Sequence, residues 1–305
     1  MSKTAFISHP DTLLHVMDGN HPESPARITA IKNAVLASKL KLQFYDAPAA
    51  SKVQLERVHT KDYVNEIFNI APKAGLVRLD GDTAMGPMSL SATLHASGAV
   101  ILATDLVLQG KADNAFCCIR PPGHHAGKSN SAGFCIFNHV AVGVAHAMKQ
   151  YNLKRVAIID FDVHHGDGTE DIFKDNPNVM LCSTFQHPFY PHRGAESRSK
   201  NMINLPLPAK ANGEDLKKTF EAEIKPAIAA FKPELIYISA GFDAHVNDPL
   251  ADLALITQDY AWMTEFIKKI ANNCCAGRII SSLEGGYHLP SLSESVLAHI
   301  NSLTH

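Results

Sequence analysis

Five short apolar, largely β-branched runs that break off into glycine and polar residues constrain this 305-residue chain more than any other feature. Ala115 to Ile119 runs into Arg120-Pro-Pro-Gly-His-His, and Arg155 to Ile159 into Asp160-Phe-Asp-Val-His-His-Gly-Asp. Val179 to Cys182 runs into Ser183-Thr-Phe-Gln-His-Pro, Leu235 to Ser239 into Ala240-Gly-Phe-Asp-Ala-His, and Ile279 to Leu283 into Glu284-Gly-Gly-Tyr-His. Near-continuous apolar runs of this length read as strands buried on both faces. Helix-length segments lie among them: Ser89 to Gln109, Phe137 to Tyr151, Asn212 to Phe231 and Thr257 to Ala271, with Pro25-Ala-Arg27 opening another. Strand–helix alternation predicts an α/β fold, a parallel sheet covered on both faces. Ligands of such sheets bind beyond the carboxyl ends of the strands. Here nearly every such end carries His, Asp, Glu or Tyr.

Composition narrows the class. Hydrophobic residues are 46% and charged residues 19%, which excludes a disordered chain. Lys and Arg number 28 against 30 Asp and Glu, so no positive field draws the chain to nucleic acid or an anionic membrane. No apolar run is expected to reach the ~18 residues that span a bilayer. No Pro/Gly/Ser-rich linker divides the chain, which reads as one domain over residues 1–305. The six cysteines form no CxxC, so neither a disulfide framework nor a thiolate zinc site is expected. Reduced thiols and the lack of a leader-like segment point to the cytoplasm.

Asp162 and His164 stand two apart beyond a buried strand, where i and i+2 share a side. Each offers a divalent cation one ligand, and Asp243 in Gly-Phe-Asp can supply a third. Three protein ligands leave a position open, as in a catalytic zinc site. Two carboxylates among three ligands also leave Fe²⁺ or Mn²⁺ possible. His124 and His125 follow Pro-Pro-Gly, and Asp160 and Asp167 flank the metal motif. One Asp per His would fix each tautomer, the arrangement a general base requires. One imidazole would take a proton from the attacking water. The other would stay charged or protonate the leaving amine. Tyr287, after two glycines, can donate a hydrogen bond to a developing oxyanion. Each feature alone has a bland explanation as helix cap, core pair or packing; together they describe metal-assisted hydrolysis of an amide.

Arg120-Pro-Pro-Gly-His-His-Ala, Gly133-Phe-Cys-Ile-Phe-Asn, Asp160-Phe-Asp-Val-His-His-Gly-Asp-Gly-Thr, Ser239-Ala-Gly-Phe-Asp-Ala-His and Leu283-Glu-Gly-Gly-Tyr resemble the zinc-dependent histone deacetylase family. The last form is similar to its class II branch and to bacterial histone deacetylase-like amidohydrolases of the arginase–deacetylase superfamily. The resemblance runs from about His21 to Tyr287 in five ordered blocks. It implies a three-layer α/β/α domain around an eight-stranded parallel sheet, with Asp162, His164 and Asp243 as zinc ligands. It also implies His124 and His125 as the catalytic pair, Asp160 and Asp167 as their partners, and Tyr287 as the oxyanion tyrosine. Gly133 and Phe134 match residues of the acyl-lysine channel, and Tyr190 falls where a phenylalanine usually stands. Asp82 is expected as the rim aspartate, with Asp80 the near alternative. A structural K⁺ (or Na⁺) is implied at Asp160, Asp162, His164, Ser183 and Thr184, and a second around Phe173, Asn176 and Val179. Asn138-His139 departs from the more usual Asn-Asn.

Acyl-lysine in a protein or peptide and a small acylated amine such as an acetylpolyamine need different rims. A polyamine-selective branch carries Glu within Asp-Pro-Glu after the third ligand, whereas this chain reads Asn247-Asp-Pro-Leu250. Leu250 offers no grip on a second ammonium and favours lysine. Neither a nucleic acid nor a membrane partner is expected, and an oligomer is left open. A catalytically dead scaffold of the same fold would have lost a ligand or the tyrosine.

Overall fold

The computed structural model describes residues 2–197 and 199–305. Eight strands form the central sheet: β1 (Thr4–Ser8), β2 (Leu42–Asp46), β5 (Asn114–Cys117), β6 (Val156–Asp160), β7 (Val179–Gln186), β8 (Met202–Leu207), β9 (Leu235–Ala240) and β10 (Ile279–Leu283). Their order is β2-β1-β5-β10-β9-β6-β7-β8, parallel throughout. Two short strands, β3 (Val77–Arg78) and β4 (Ala84–Met85), pair antiparallel as a separate ribbon. The helices are α1 (Pro25–Ala37), α2 (Lys52–Leu55), α3 (Lys61–Ile70), α4 (Ser89–Leu108), α5 (His139–Tyr151), α6 (Asp167–Phe173), α7 (Gly213–Thr219), α8 (Lys225–Phe231), α9 (Thr257–Cys274) and α10 (Leu289–Thr304).

The sheet separates two hydrophobic clusters. Along β9, Leu235 and Tyr237 enter the cluster under α4 and α5, while Ile236 and Ile238 enter the one under α1, α9 and α10. Burial of both faces is why the strand reads as an unbroken apolar run. The expected helix over Asn212 to Phe231 is present, but Phe220–Ile224 widens into a π turn between α7 and α8. Pro226 lacks an N–H and crowds the carbonyl a turn earlier, which accounts for the local widening.

The 20-residue α4 is long and apolar enough, by length and composition alone, to cross a membrane, but its apolar stretch is broken by Ser, Thr, His95 and Asp105. Two thirds of it is buried inside the protein, so α4 serves as a core helix here. Two of its buried hydroxyls find partners there: Ser97 Oγ lies 2.8 Å from His139 Nδ1 and Thr104 Oγ1 2.7 Å from the Tyr237 hydroxyl. All six cysteines are free, and all but Cys274 are buried.

Three buried histidines tie these layers together in the neutral state. His59 Nδ1 is 2.8 Å from the Gly127 carbonyl, while Nε2 accepts the Asn138 N–H at 3.0 Å. His139 bridges Ser97 and the Pro121 carbonyl, and His299 bridges Thr264 and Ser281. Burial pulls His59 down to about 4, and His139 and His299 to about 3. Unfolding restores values near 6.5, so the unfolded chain binds more protons in acid. The stabilisation from each neutral ring is complete above pH ~6.5 and falls by ~1.4 kcal/mol per pH unit toward the folded value. Each of these rings should therefore contribute about 2 kcal/mol more at pH 7 than at pH 5, read by urea unfolding as the difference between wild type and a variant lacking it. His299→Gln should flatten the dependence by about that amount; an unchanged slope would remove His299 from it.

Candidate active site

The four central strands β5, β10, β9 and β6 are contiguous, and their carboxyl ends deliver the site. Beyond β5 come His124 and His125, beyond β6 Asp160, Asp162 and His164, beyond β9 Asp243, and beyond β10 Glu284 and Tyr287. Ligand-capable atoms of Asp162, His164 and Asp243 all lie within 4.8 Å of one another. His164 Nδ1 is 3.0 Å from Asp162 Oδ1 and 3.3 Å from Asp243 Oδ2.

The residues fit a divalent cation on three counts. Asp243 Oδ2 is buried without a hydrogen bond. Gly285 leaves open a space in which a Cβ would meet the carboxylates of both Asp243 and Asp162. The donors are two carboxylates and one imidazole, a set that zinc, iron and manganese all accept. The site also attracts positive charge: burial opposes protonation of His164, yet Asp162 and Asp243 raise it to about 10.

Each of the paired histidines has its own carboxylate. His124 Nδ1 is 2.9 Å from Asp160 Oδ2 and His125 Nδ1 is 2.7 Å from Asp167 Oδ1, leaving both Nε2 atoms for other partners. The rings lie 4.1 Å apart, yet their charges differ. Burial disfavours the cation on His124, but Asp160 and Asp162 outweigh it and hold this ring well above the ordinary value. Burial, with His124 alongside, pulls His125 down to about 4. At neutral pH one ring carries a proton and the other can accept one.

A cavity of about 200 Å³ opens above these groups. Phe134, Phe189, Tyr190, Leu250 and Asp82 line it, together with His124, His125, His164 and Tyr287. The Tyr190 ring lies 5.1 Å from that of His125, and Phe189 stacks on His164 at 5.4 Å. Burial pushes the Tyr287 phenol well above its usual value, so it keeps its proton as a donor. Asp80 caps its own turn, accepting the N–H groups of Asp82 and Thr83, and Asp82 is the aspartate left facing the cavity.

A histone deacetylase domain model matches residues 21–303, nearly the whole chain. The chain belongs to the histone deacetylase family. It is 38% identical to histone deacetylase 14, chloroplastic, of Arabidopsis thaliana, over 93% of this chain and 73% of that protein. It is 35% identical to the histone deacetylase-like amidohydrolase of Pseudomonas aeruginosa, over 88% of this chain and 72% of the other. The solved HDA15 HD domain superposes with a TM-score of 0.93 at 32% identity, over 99% of this chain and 88% of that one. The three-layer fold around an eight-stranded parallel sheet is thus that of the histone deacetylases, a family of deacetylases and amidohydrolases.

Several supports of the deacetylase site were not anticipated from the sequence. Glu284 Oε2 accepts the N–H groups of Gly123 at 2.6 Å and His124 at 3.2 Å, pinning the histidine loop to β10. Arg27 donates to the Gly286 and Glu284 carbonyls and lies 5.0 Å from the centre of the Tyr287 ring. Asp248 accepts the Tyr287 N–H at 2.7 Å and the Leu250 N–H at 3.0 Å, joining the tyrosine loop to the rim. Apart from the Asp248–Leu250 turn, these pairings leave no local signal, because the partners are far apart in sequence. His139, the departure beside Asn138, is a buried tie from α5 to α4 and the Pro121 loop.

Of the implied monovalent-cation groups, Asp160 and Ser183 face each other in register across β6 and β7. Asp160 Oδ1 accepts the Asp162 N–H at 3.1 Å, Asp162 Oδ1 accepts the His164 N–H at 2.9 Å, and Thr184 follows Ser183 on β7. The second implied cation position is different. The carbonyls of Phe173, Asn176 and Val179 do converge, but on the Asn201 side-chain amide. A further His/Asp group, His9, Asp11 and His95, has ligand-like spacing. Its members are already used: His9 Nδ1 accepts the Asp11 N–H, and the Ser91 hydroxyl donates to Asp11.

Proposed function

We propose that this chain removes acetyl or other acyl groups from the ε-amine of lysine in proteins or peptides. The supporting observation is the cavity: an aromatic-walled opening of about 200 Å³ lined by the carboxylate-held histidines, Tyr287 and His164, the last of which belongs to the three-ligand cluster. An acyl-lysine side chain is an apolar rod ending in a neutral amide, and such a wall suits it.

Asp162, His164 and Asp243 would hold the catalytic ion, zinc in the first instance. Bound there, it supplies Lewis acidity toward the acyl oxygen and acidifies water. Neutral His125 accepts the proton of the attacking water at Nε2 and returns it to the departing amine, while Asp167 fixes its tautomer. His124 stays charged beside Asp160 and steadies the negative charge that develops. Tyr287 donates its hydroxyl proton in a hydrogen bond to the acyl oxygen. Gly133, Phe134 and Tyr190 line the path of the side chain, Leu250 covers the mouth, and Asp82 accepts N–H groups of the substrate backbone. Asp160, Asp162, His164, Ser183 and Thr184 would hold a structural potassium or sodium ion.

A small acylated amine is the second reading, and Asp82 is the observation that favours it. It is the single carboxylate among the described residues lining the cavity and could receive a distant ammonium. Parallel turnover of an acetyl-lysine peptide and an acetylated diamine separates the two. Peptide turnover well above diamine supports the lysine reading; the reverse order moves the function to small amines.

Gly133 provides a sensitive check of the His125 role. Its φ is +51°, and an added Cβ would run into the His125 imidazole. Gly133→Ala should cost about 1 kcal/mol of stability and on the order of 10-fold or more in kcat by displacing that ring. A melt together with steady-state kinetics reads both, and an unchanged kcat would contradict the placement of His125 in proton transfer.

A further inference from the structure

Asn201 immediately precedes β8, and its Nδ2 lies 3.2 Å from the Phe173 carbonyl, 3.0 Å from that of Asn176 and 3.0 Å from that of Val179. Three carbonyl dipoles aimed at one point concentrate negative potential. Proteins answer such an arrangement with a monovalent cation, the carbonyls replacing its hydration shell. The family resemblance places a second structural cation at these same carbonyls. In this chain the space is filled from within.

The amide cannot easily be turned the other way. The three carbonyls can only accept, so the NH₂ end is the one that faces them, and Oδ1 accepts the Ser199 hydroxyl at 2.5 Å. Reversal would put a fourth oxygen among three. The backbone is held as well, the Asn201 carbonyl accepting the Leu181 N–H at 2.8 Å. Two of the caged carbonyls also accept backbone donors, Phe173 from Asn176 N at 2.9 Å and Asn176 from Val179 N at 3.1 Å. Two amide hydrogens therefore suffice for three acceptors. Asn201 is 9% exposed, which leaves little room for an ion and its water beside it.

We infer that the Asn201 amide replaces the second monovalent cation of the fold, making the α6–β7 loop and the start of β8 independent of potassium. The amide brings partial positive charge without net charge and without exchange with solvent. The inference stands on this cage alone and does not depend on the substrate.

Thallium(I), an anomalous scatterer that mimics potassium, tests it in crystals of the wild type, Asn201→Ala and Asn201→Asp. The wild type should show no thallium at the three carbonyls, and Asn201→Ala should show one ion there. Melting of Asn201→Ala should rise by more than about 2 °C in potassium chloride over choline chloride of equal ionic strength, beyond any wild-type rise. Asn201→Asp keeps the shape but faces the carbonyls with oxygen, so it should need the cation more and decides the matter if Asn201→Ala does not fold. Thallium at these carbonyls in the wild type overturns the inference. So does a cage that stays empty in the variants with no potassium-dependent stabilisation, because it would then never have been a cation site.

Discussion

Tyr287→Phe should lower kcat on an acyl-lysine peptide by roughly 10²–10³-fold, the usual effect of removing one oxyanion donor. The ring remains, so its contacts with Arg27 and Phe134 persist. Asp248 anchors Tyr287 through its backbone N–H and is unaffected by the change. Metal content, melting temperature and KM should therefore stay close to wild type. That split between kcat and KM identifies a group that acts in the transition state. A Tyr287→Phe protein with undiminished kcat would remove the hydroxyl from the mechanism.

Asp243→Ala should have the larger effect. It removes one of the three proposed ligands, including the buried Oδ2 atom that has no hydrogen bond. Asp243 also accepts the Val163 N–H at 3.0 Å through Oδ1, so some local loosening is expected. The divalent ion should be lost on dialysis and turnover should fall by at least about 10³-fold, several kcal/mol of transition-state stabilisation. Elemental analysis alongside circular dichroism separates metal loss from unfolding. Full metal occupancy in the folded variant would reject Asp243 as a ligand.

The parts of the fold that were legible in the sequence are those whose burial is uniform. β5, β6, β7, β9 and β10 are buried along their whole length and read as apolar runs. The edges were not legible. β2 leaves Gln43 and Phe44 exposed, and β8 contains Pro206, tolerable on an edge strand that pairs on one side only. β1 is buried, but its Thr-Ala-Phe-Ile-Ser sequence has a hydroxyl residue at each end and only two large apolar side chains, and α10 carries serines that weaken its apolar signal.

The site divides in the same way. Asp162 and His164 are two apart, so their convergence is written into local spacing. The pairing of His124 with Asp160, 36 residues away, was legible only as chemical economy, one carboxylate for each imidazole. The roles of Glu284, Asp248 and Asn201 were not legible, because each depends on backbone groups of another segment. A backbone carbonyl or N–H looks the same at every residue, so a sequence cannot announce that three of them meet.

The most direct test of the account is product analysis on protein loaded with one equivalent of zinc, using an acetyl-lysine peptide. Equimolar acetate and free lysine amine are expected, lost after chelation and restored by a divalent ion. Turnover that survives complete chelation, or no release of acetate by the metal-loaded protein from the peptide or from any small acylated amine, would contradict it.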